Sequence, residues 1–482
     1  MQSNPNFIEA ARNLLGEKGL TQDPDLIDPW LTDWRGRFTG KAIGLASPES
    51  TAQTAELVKL CAQYGVPIVP QGGNSGMVGG ATPDQNGDAI LLSTRRMNAI
   101  RSLDADAGQA VCEAGVILQN LHEAAEEGDM RFPLTLGGKG SATIGGLVST
   151  NAGGTQVLKH GTMRAQVLGL EAVLADGQIF HGLTDLKKDN RGFDLKQLLI
   201  GSEGTLGIVT AANLRLLPAQ TARVVIWAGL NSIADARSLL KHFERAMPDR
   251  LEGFEVVPDH CLASVLKHVP DARAPFQQAY KWNALIELVA TKGDTLALSE
   301  AAQQVLEPAL HSGLLVDAVI AANEAQAEAF WLLRDAIAPA ERARGPAMQH
   351  DISVPVDKMP AFVEAAIAEV ESNFPGTKAV AFGHLGDGNV HFHALAPEGA
   401  VPGHWEDSQG KLISAQVNNL VTEWGGSISA EHGIGQLKVG ELNRLGDPVS
   451  LSMMRAVKDA LDPSGILNPG KLVPLAPDAV NA

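Results

Sequence analysis

Three glycine-rich tracts constrain this chain more than any other feature: PQGGNSGMVGG from Pro70 to Gly80, PLTLGGKGSATIGGLVSTNAGG from Pro133 to Gly154, and GSEGTLGIVT from Gly201 to Thr210. Glycine at this density leaves backbone N–H groups uncovered, and successive uncovered amides form a concave nest suited to a pyrophosphate. The first tract follows VPIV, which reads as a short buried strand, and VPIV follows a helix over Thr51 to Tyr64. In that helix Leu57, Leu60, Cys61 and Tyr64 recur at helical spacing. Glycine used only for tight turns and close packing is the competing explanation, and three long loops in one domain weigh against it. No G-x-G-x-x-G and no G-x-x-x-x-G-K-[ST] occurs, which disfavours a nicotinamide Rossmann enzyme and a P-loop protein.

At 482 residues the chain is too long for one core and calls for two or three domains. Leu168 to Leu174, Asp176-Gly177 and Gln178 to His181 read as a hairpin, with Asp-Gly supplying the positive φ angles of a tight turn. From about Ala222 glycine thins out, and strands such as VVIWAGL and ALIELVA alternate with Ala- and Leu-rich helices. Glycine returns around Gly425 to Gly435. These changes predict a first domain over 1–218, a second over 219–425, and a segment 426–482 that packs back against the first.

A formal charge of −17 argues against a nucleic-acid partner, whose phosphates would be repelled. Cys61, Cys112 and Cys261 are too few and scattered for a disulfide framework or a thiolate metal site, which points to a reducing compartment. MQSNPNFIEAARNLLGEKG carries charges where a signal peptide needs an apolar run, and no later stretch has the roughly 20 apolar residues of a membrane span. The expectation is a cytoplasmic protein.

Metal-ligating residue types concentrate in FGHLGDGNVHFH, Phe382 to His393, and in SAEHGIG, which holds Glu431 and His432. His391 and His393 are two apart, so on a strand they share a face, and the intervening turn can fold His384 alongside them. Glu431 then completes a His/His/carboxylate set. Nitrogen and oxygen donors without thiolate suit Zn²⁺, with Mn²⁺ or Fe²⁺ as alternatives. A polar hairpin with its histidines in water is the competing explanation.

The glycine tracts, together with HGTMRAQVLGLEAVLADG and the late DPSGILNPGKL, resemble the FAD-binding oxidoreductases of the vanillyl-alcohol oxidase superfamily. FGHLGDGNVH and SAEHGIG resemble its D-2-hydroxyacid dehydrogenase branch, and HLGDGN is closer to D-2-hydroxyglutarate dehydrogenases than to many D-lactate and glycolate enzymes. The resemblance, from about Ala42 to Val473, implies an α+β chain: an FAD-binding domain of two subdomains and a substrate domain on an antiparallel sheet with helices. It implies oxidation of a D-2-hydroxyacid to the 2-oxoacid by hydride transfer to flavin N5, with D-2-hydroxyglutarate the leading substrate. D-lactate or glycolate, and an oxidase using O₂, are the alternatives.

The same resemblance assigns Gln71, Gly72, Gly73, Asn74 and Ser75 to the pyrophosphate. Gly137, Ser141, Gly145, Gly146, Asn151, Gly153 and Gly154 would line the flavin, Glu203, Gly207 and Ile208 would lie nearer the adenosine, and Asn468 would reach the isoalloxazine. No histidine lies between Pro70 and Gly80, so the FAD is expected to be non-covalent. His384, His391 and Glu431 match the family's metal ligands. His432 matches its proposed general base, or else only orients the ligands. Arg334 matches a carboxylate-binding arginine, unless it forms a surface salt bridge. The chain departs from the family at Gln349 (usually lysine), Ala338 (threonine in the hydroxyglutarate enzyme) and His393 (often asparagine), and His393 compensates in part for the lost groups. Electron-transfer flavoprotein is the electron acceptor that the family implies. The sequence carries no signal for or against a homodimer.

Overall fold

The computed structural model describes residues 5–186, 188–291 and 297–473, and the chain divides into two compact units. The first contains 1–154, 161–218 and 431–482, and the second contains 155–160 and 219–430. Among the described residues no helix is long and apolar enough to cross a membrane.

The first unit holds two sheets. One has four strands in the order Leu20–Thr21, Gly44–Ala46, Ile90–Ser93, Ile68–Gln71; its last three are parallel. The helix expected before VPIV forms over Thr51–Tyr64. Ser50 caps its N-terminus by accepting from the Gln53 amide, and Gly65 ends it in the left-handed conformation with φ +66°. Strand Ile68–Gln71 then delivers the chain into the first glycine tract. Near the other end of the chain, Ile68 N–H donates to the Ile466 carbonyl and Asn468 N–H to the Ile68 carbonyl, fastening the late segment to this strand.

The other sheet is antiparallel, with five strands in the order Ile100–Asp104, Gln109–Glu113, Ile208–Arg215, Val167–Val173, Ile179–Gly182. The hairpin expected at Asp176-Gly177 is present, but the two-residue turn with positive φ at both positions is not. Gly177 alone has positive φ, +78°, and its amide bonds the Leu174 carbonyl. The Leu174 amide in turn bonds the Gln178 carbonyl, closing a three-residue loop in which one left-handed glycine suffices.

The second unit is built on a seven-stranded antiparallel sheet, ordered Asp317–Ile320, Gln220–Leu230, Trp282–Thr291, Leu251–Pro258, Lys378–His384, Asn389–Leu395, Ala347–Ser353. Leu251–Pro258 is buried throughout, and VVIWAGL and ALIELVA form the buried stretches of their strands, as near-continuous apolar runs do when both sheet faces are covered. Trp227, Phe330, Leu333, Phe382 and Val380 pack into one core.

The second unit runs on to Ala430 rather than ending near Gly425, because Ser427 pairs with Ser353 and the Ala430 amide donates to the Asp351 carbonyl. It also captures 155–160, which the glycine pattern assigns to the first domain. The buried Glu252 carboxylate holds that excursion through His160 Nε2 at 3.3 Å and Lys159 Nζ at 3.8 Å.

Candidate active site

In the first unit the three glycine tracts are tied together by backbone. Helix Ile144–Thr150 ends at Asn151, which is left-handed at φ +49°, and its C-terminal carbonyls are covered by the third tract: Gly201 N–H donates to Val148 and Glu203 N–H to Ser149. Asn151 Oδ1 also accepts from the Arg164 amide. Glu203, itself at φ +51°, is buried, and its carboxylate accepts from the Ile434 and Gly435 amides at 2.7 Å each. Burial raises the Glu203 carboxyl despite those two bonds. The third tract therefore fixes the turn that follows His432. Ile208 opens the central strand of the five-stranded sheet, preceded by Gly207.

The glycines divide by what surrounds them. A Cβ on Gly73 would lie 1.7 Å from the Ser141 carbonyl, on Gly72 2.1 Å from Thr143 Oγ1, on Gly145 2.6 Å from Ala114 Cβ, and on Gly154 2.2 Å from the Thr135 carbonyl. These four let protein backbone approach protein. Gly76 and Gly137 instead meet nothing within 4 Å, and Gly146 only Thr143 Oγ1 at 3.4 Å. A side chain at Gly73 would therefore meet Ser141.

The side-chain amides also brace loops. Gln71 Nε2 donates to the Trp30 and Ala81 carbonyls, Asn74 Nδ2 to Thr32, and Asn468 Nδ2 to Gly80 and Glu203. Gln71 Oε1, Asn468 Oδ1 and Thr143 Oγ1 remain buried with no hydrogen-bond partner among the described residues. Such groups ask for a donor-bearing ligand, and the N–H and ribityl hydroxyl groups of FAD meet that need. The residues present fit the cofactor.

In the second unit the histidine hairpin forms as the spacing predicts. Strands Lys378–His384 and Asn389–Leu395 pair with Phe382 opposite His391 and Val380 opposite His393. Asp387 Oδ1 accepts from the Asn389 amide, while Asn389 Nδ2 donates to Asp351 Oδ1 and to the Ile352 carbonyl, so both act as turn residues. Gly388, at φ +82°, admits no side chain because its Cβ would lie 2.1 Å from the Val354 carbonyl.

Phe382 lies between His391 and His393, with ring centroids 5.2 and 5.1 Å away, which confirms that these histidines share a face. The His384 and His391 rings are 5.3 Å apart and have ligand nitrogens within 4.8 Å of each other. Their environment is not aqueous. Burial, followed by the Arg334 charge, holds His391 well below its ordinary value, which favours the neutral ring that can ligate. His393 turns Nδ1 to the buried Glu341, whose other oxygen receives the Cys261 thiol at 3.7 Å. Gln349 is the cross-strand neighbour of His393, and Asp351 that of His391.

Arg334, on helix Glu324–Asp335, is neither a surface pair nor a free fork. Its Nε donates to Glu255 at 2.8 Å, and its Nη2 lies 3.3 Å from His384 Nε2 and 3.5 Å from His391 Nε2. Glu255 also receives His384 Nδ1. Burial alone would raise the Glu255 carboxyl, but the Arg334 charge and the hydrogen bonds from His384 and Arg334 prevail and hold it at about 2. Sequence reasoning misses Glu255 and Glu341. Ala338 lies in helix Ile337–Arg342. Glu431 and His432 follow directly on Ala430 in the chain.

Two family models match the chain: the FAD binding domain over residues 42–182 and the C-terminal domain of FAD linked oxidases over residues 219–472. The chain belongs to the FAD-linked oxidase family and is an FAD-dependent dehydrogenase of its D-2-hydroxyacid branch. It is 35% identical to the mitochondrial D-2-hydroxyglutarate dehydrogenase of Arabidopsis thaliana, over 98% of this chain and 84% of that protein. It is also 35% identical to the D-2-hydroxyglutarate dehydrogenase of Xanthomonas citri pathovar viticola, over 94% of each. A solved structure of p-cresol methylhydroxylase with substrate bound superimposes with a TM-score of 0.75 at 16% identity, over 98% of this chain and 96% of that one. That likeness establishes the vanillyl-alcohol oxidase-type α+β fold.

Proposed function

We propose that this protein oxidises D-2-hydroxyglutarate to 2-oxoglutarate, using non-covalent FAD and a divalent cation held by His384, His391 and Glu431. The observation that carries the metal assignment is the pair of imidazoles, His384 and His391, 5.3 Å apart on one hairpin with ligand nitrogens within 4.8 Å of each other and no thiolate in the set. Such donors favour Zn²⁺, with Mn²⁺ or Fe²⁺ as alternatives. The hydroxyglutarate assignment is supported by the relatives of matching length.

When bound, the cation supplies Lewis acidity at the substrate α-hydroxyl and the flavin supplies a two-electron acceptor at N5. The protein's own residues do the rest. His432 accepts the hydroxyl proton as the Cα hydride leaves, and imidazole suits that task near neutral pH. Arg334 presents the guanidinium edge that Glu255 does not use to a substrate carboxylate. Gln349 and His393 occupy the row beyond His391 and would meet the far end of the substrate. The pyrophosphate and flavin roles follow the cradle residues named above, with Gly76 added because its missing side chain leaves open space. Electron-transfer flavoprotein is the proposed acceptor.

A D-lactate or glycolate enzyme is the second reading. It is favoured by one observation, that part of the Arg334 fork is already committed to Glu255.

The proposal is tested by His432→Ala. The variant should keep its FAD and metal while the rate of flavin reduction falls by roughly 10²–10⁴, as expected for loss of a general base. An unchanged rate removes His432 from the chemistry.

A further inference from the structure

Glu255 stands in the middle of strand Leu251–Pro258, directly opposite His384, with 1% of its surface exposed. A carboxylate in a sheet core is costly, and an apolar side chain would pack there without that cost. One of its oxygens receives His384 Nδ1, and the other receives Arg334 Nε at 2.8 Å.

We propose that Glu255 is the positioning residue of the metal centre, accepting the Nδ1 proton of His384 so that Nε2 presents its lone pair to a divalent cation. The inference rests on His384 being a ligand, as in the proposed function. An ionised carboxylate only accepts hydrogen bonds, so the proton between the two groups belongs to Nδ1, and a neutral imidazole protonated there has its lone pair at Nε2. That nitrogen and His391 Nε2 lie on the same side of the pair, each within 3.5 Å of Arg334 Nη2. Glu255 has a second effect at the same place. Its negative charge is paired with Arg334, so a dication arriving at the two nitrogens does not meet an uncompensated guanidinium.

The substitution Glu255→Gln reverses this arrangement. Arginine donates but cannot accept, so the amide oxygen of the introduced side chain would turn to Arg334 and its NH₂ to His384 Nδ1. His384 would then have to carry its proton on Nε2, where the metal must bind. Two variants separate the positioning effect from simple charge balance: Glu255→Gln, and the double replacement Glu255→Leu with Arg334→Met, which removes both charges and fills the space.

The experiment measures Zn²⁺ affinity of the full-length, FAD-loaded protein by competition with a chelator, with flavin content and thermal melting as checks of folding. Both variants should bind Zn²⁺ about 10–100-fold more weakly than the parent, the range expected when a ligand loses its orienting partner. Parental affinity in the double variant would overturn the inference by showing that Glu255 serves only to balance Arg334. Parental affinity in Glu255→Gln would overturn it as well, and this variant suffices should the double one fail to fold. A parent protein that binds no Zn²⁺, Mn²⁺ or Fe²⁺ would instead remove the metal assignment itself.

Discussion

The glycine tracts of the first unit and the histidine hairpin of the second hold their groups by opposite means. In the tracts the work is done by backbone: left-handed Asn74, Asn151 and Glu203, amides covering helix carbonyls, and glycines that let one loop touch another. In the hairpin it is done by strand register, which sets Phe382 opposite His391 and Glu255 opposite His384 and so fixes the side chains on one face. The loop region tolerates little added volume where backbone meets backbone, as at Gly73. The sheet site depends on ion pairs buried beneath it.

The largest predicted effect separates the two regions outright. His391→Ala should lose the metal and at least about 10³-fold in turnover, since several kcal/mol of Lewis-acid stabilisation disappears. Its FAD content, measured by absorbance after acid release, should stay at the parental level. Retained metal would refute the ligand assignment.

Next in size is Arg334→Ala, which leaves Glu255 buried without its cation and should destabilise the second unit by about 3–5 kcal/mol. Thermal melting reads this directly. Acidification makes a related test. Glu255 is lowered in the folded protein from the usual 4.5 to about 2, so it stabilises the fold fully above pH 4.5, and that contribution is lost as pH falls towards 2. Arg334→Ala should abolish much of this acid resistance.

The smallest effects sharpen the comparison within the tracts. Gly73→Ala should cost about 1–3 kcal/mol or more, because its Cβ would overlap the Ser141 carbonyl. Gly76→Ala should melt within about 0.5 kcal/mol of the parent and instead weaken FAD binding, measured by fluorescence titration. Equal effects of both would show that the open space at Gly76 does not face the cofactor.

Much of this was legible in the sequence for identifiable reasons. Helix Thr51–Tyr64 has a serine cap, apolar spacing and a terminating glycine, so local rules agree with the fold. The histidine hairpin has period-two spacing and an Asp-Gly-Asn turn, which determine its facing without knowledge of any distant residue. What stayed hidden depends on partners far along the chain. Glu255 meets His384 across 129 positions and His393 meets Glu341 across 52, and nothing near either residue announces the pairing. The excursion at 155–160 was hidden likewise, because its anchor is Glu252. Glycine patterns revealed where loops turn closely, but not that a side chain at Gly73 would meet another loop whereas one at Gly76 would meet nothing within 4 Å.

The most direct test of the central claim is anaerobic bleaching of the flavin by D-2-hydroxyglutarate, followed before and after removal of metal with a chelator. The metal-loaded protein should bleach fully, with D-2-hydroxyglutarate ahead of D-lactate in kcat/KM. The stripped protein should retain FAD yet bleach at least about 10³-fold more slowly and recover when Zn²⁺ or Mn²⁺ is restored. Bleaching of the stripped protein at the undiminished rate would contradict a metal-dependent mechanism at His384 and His391.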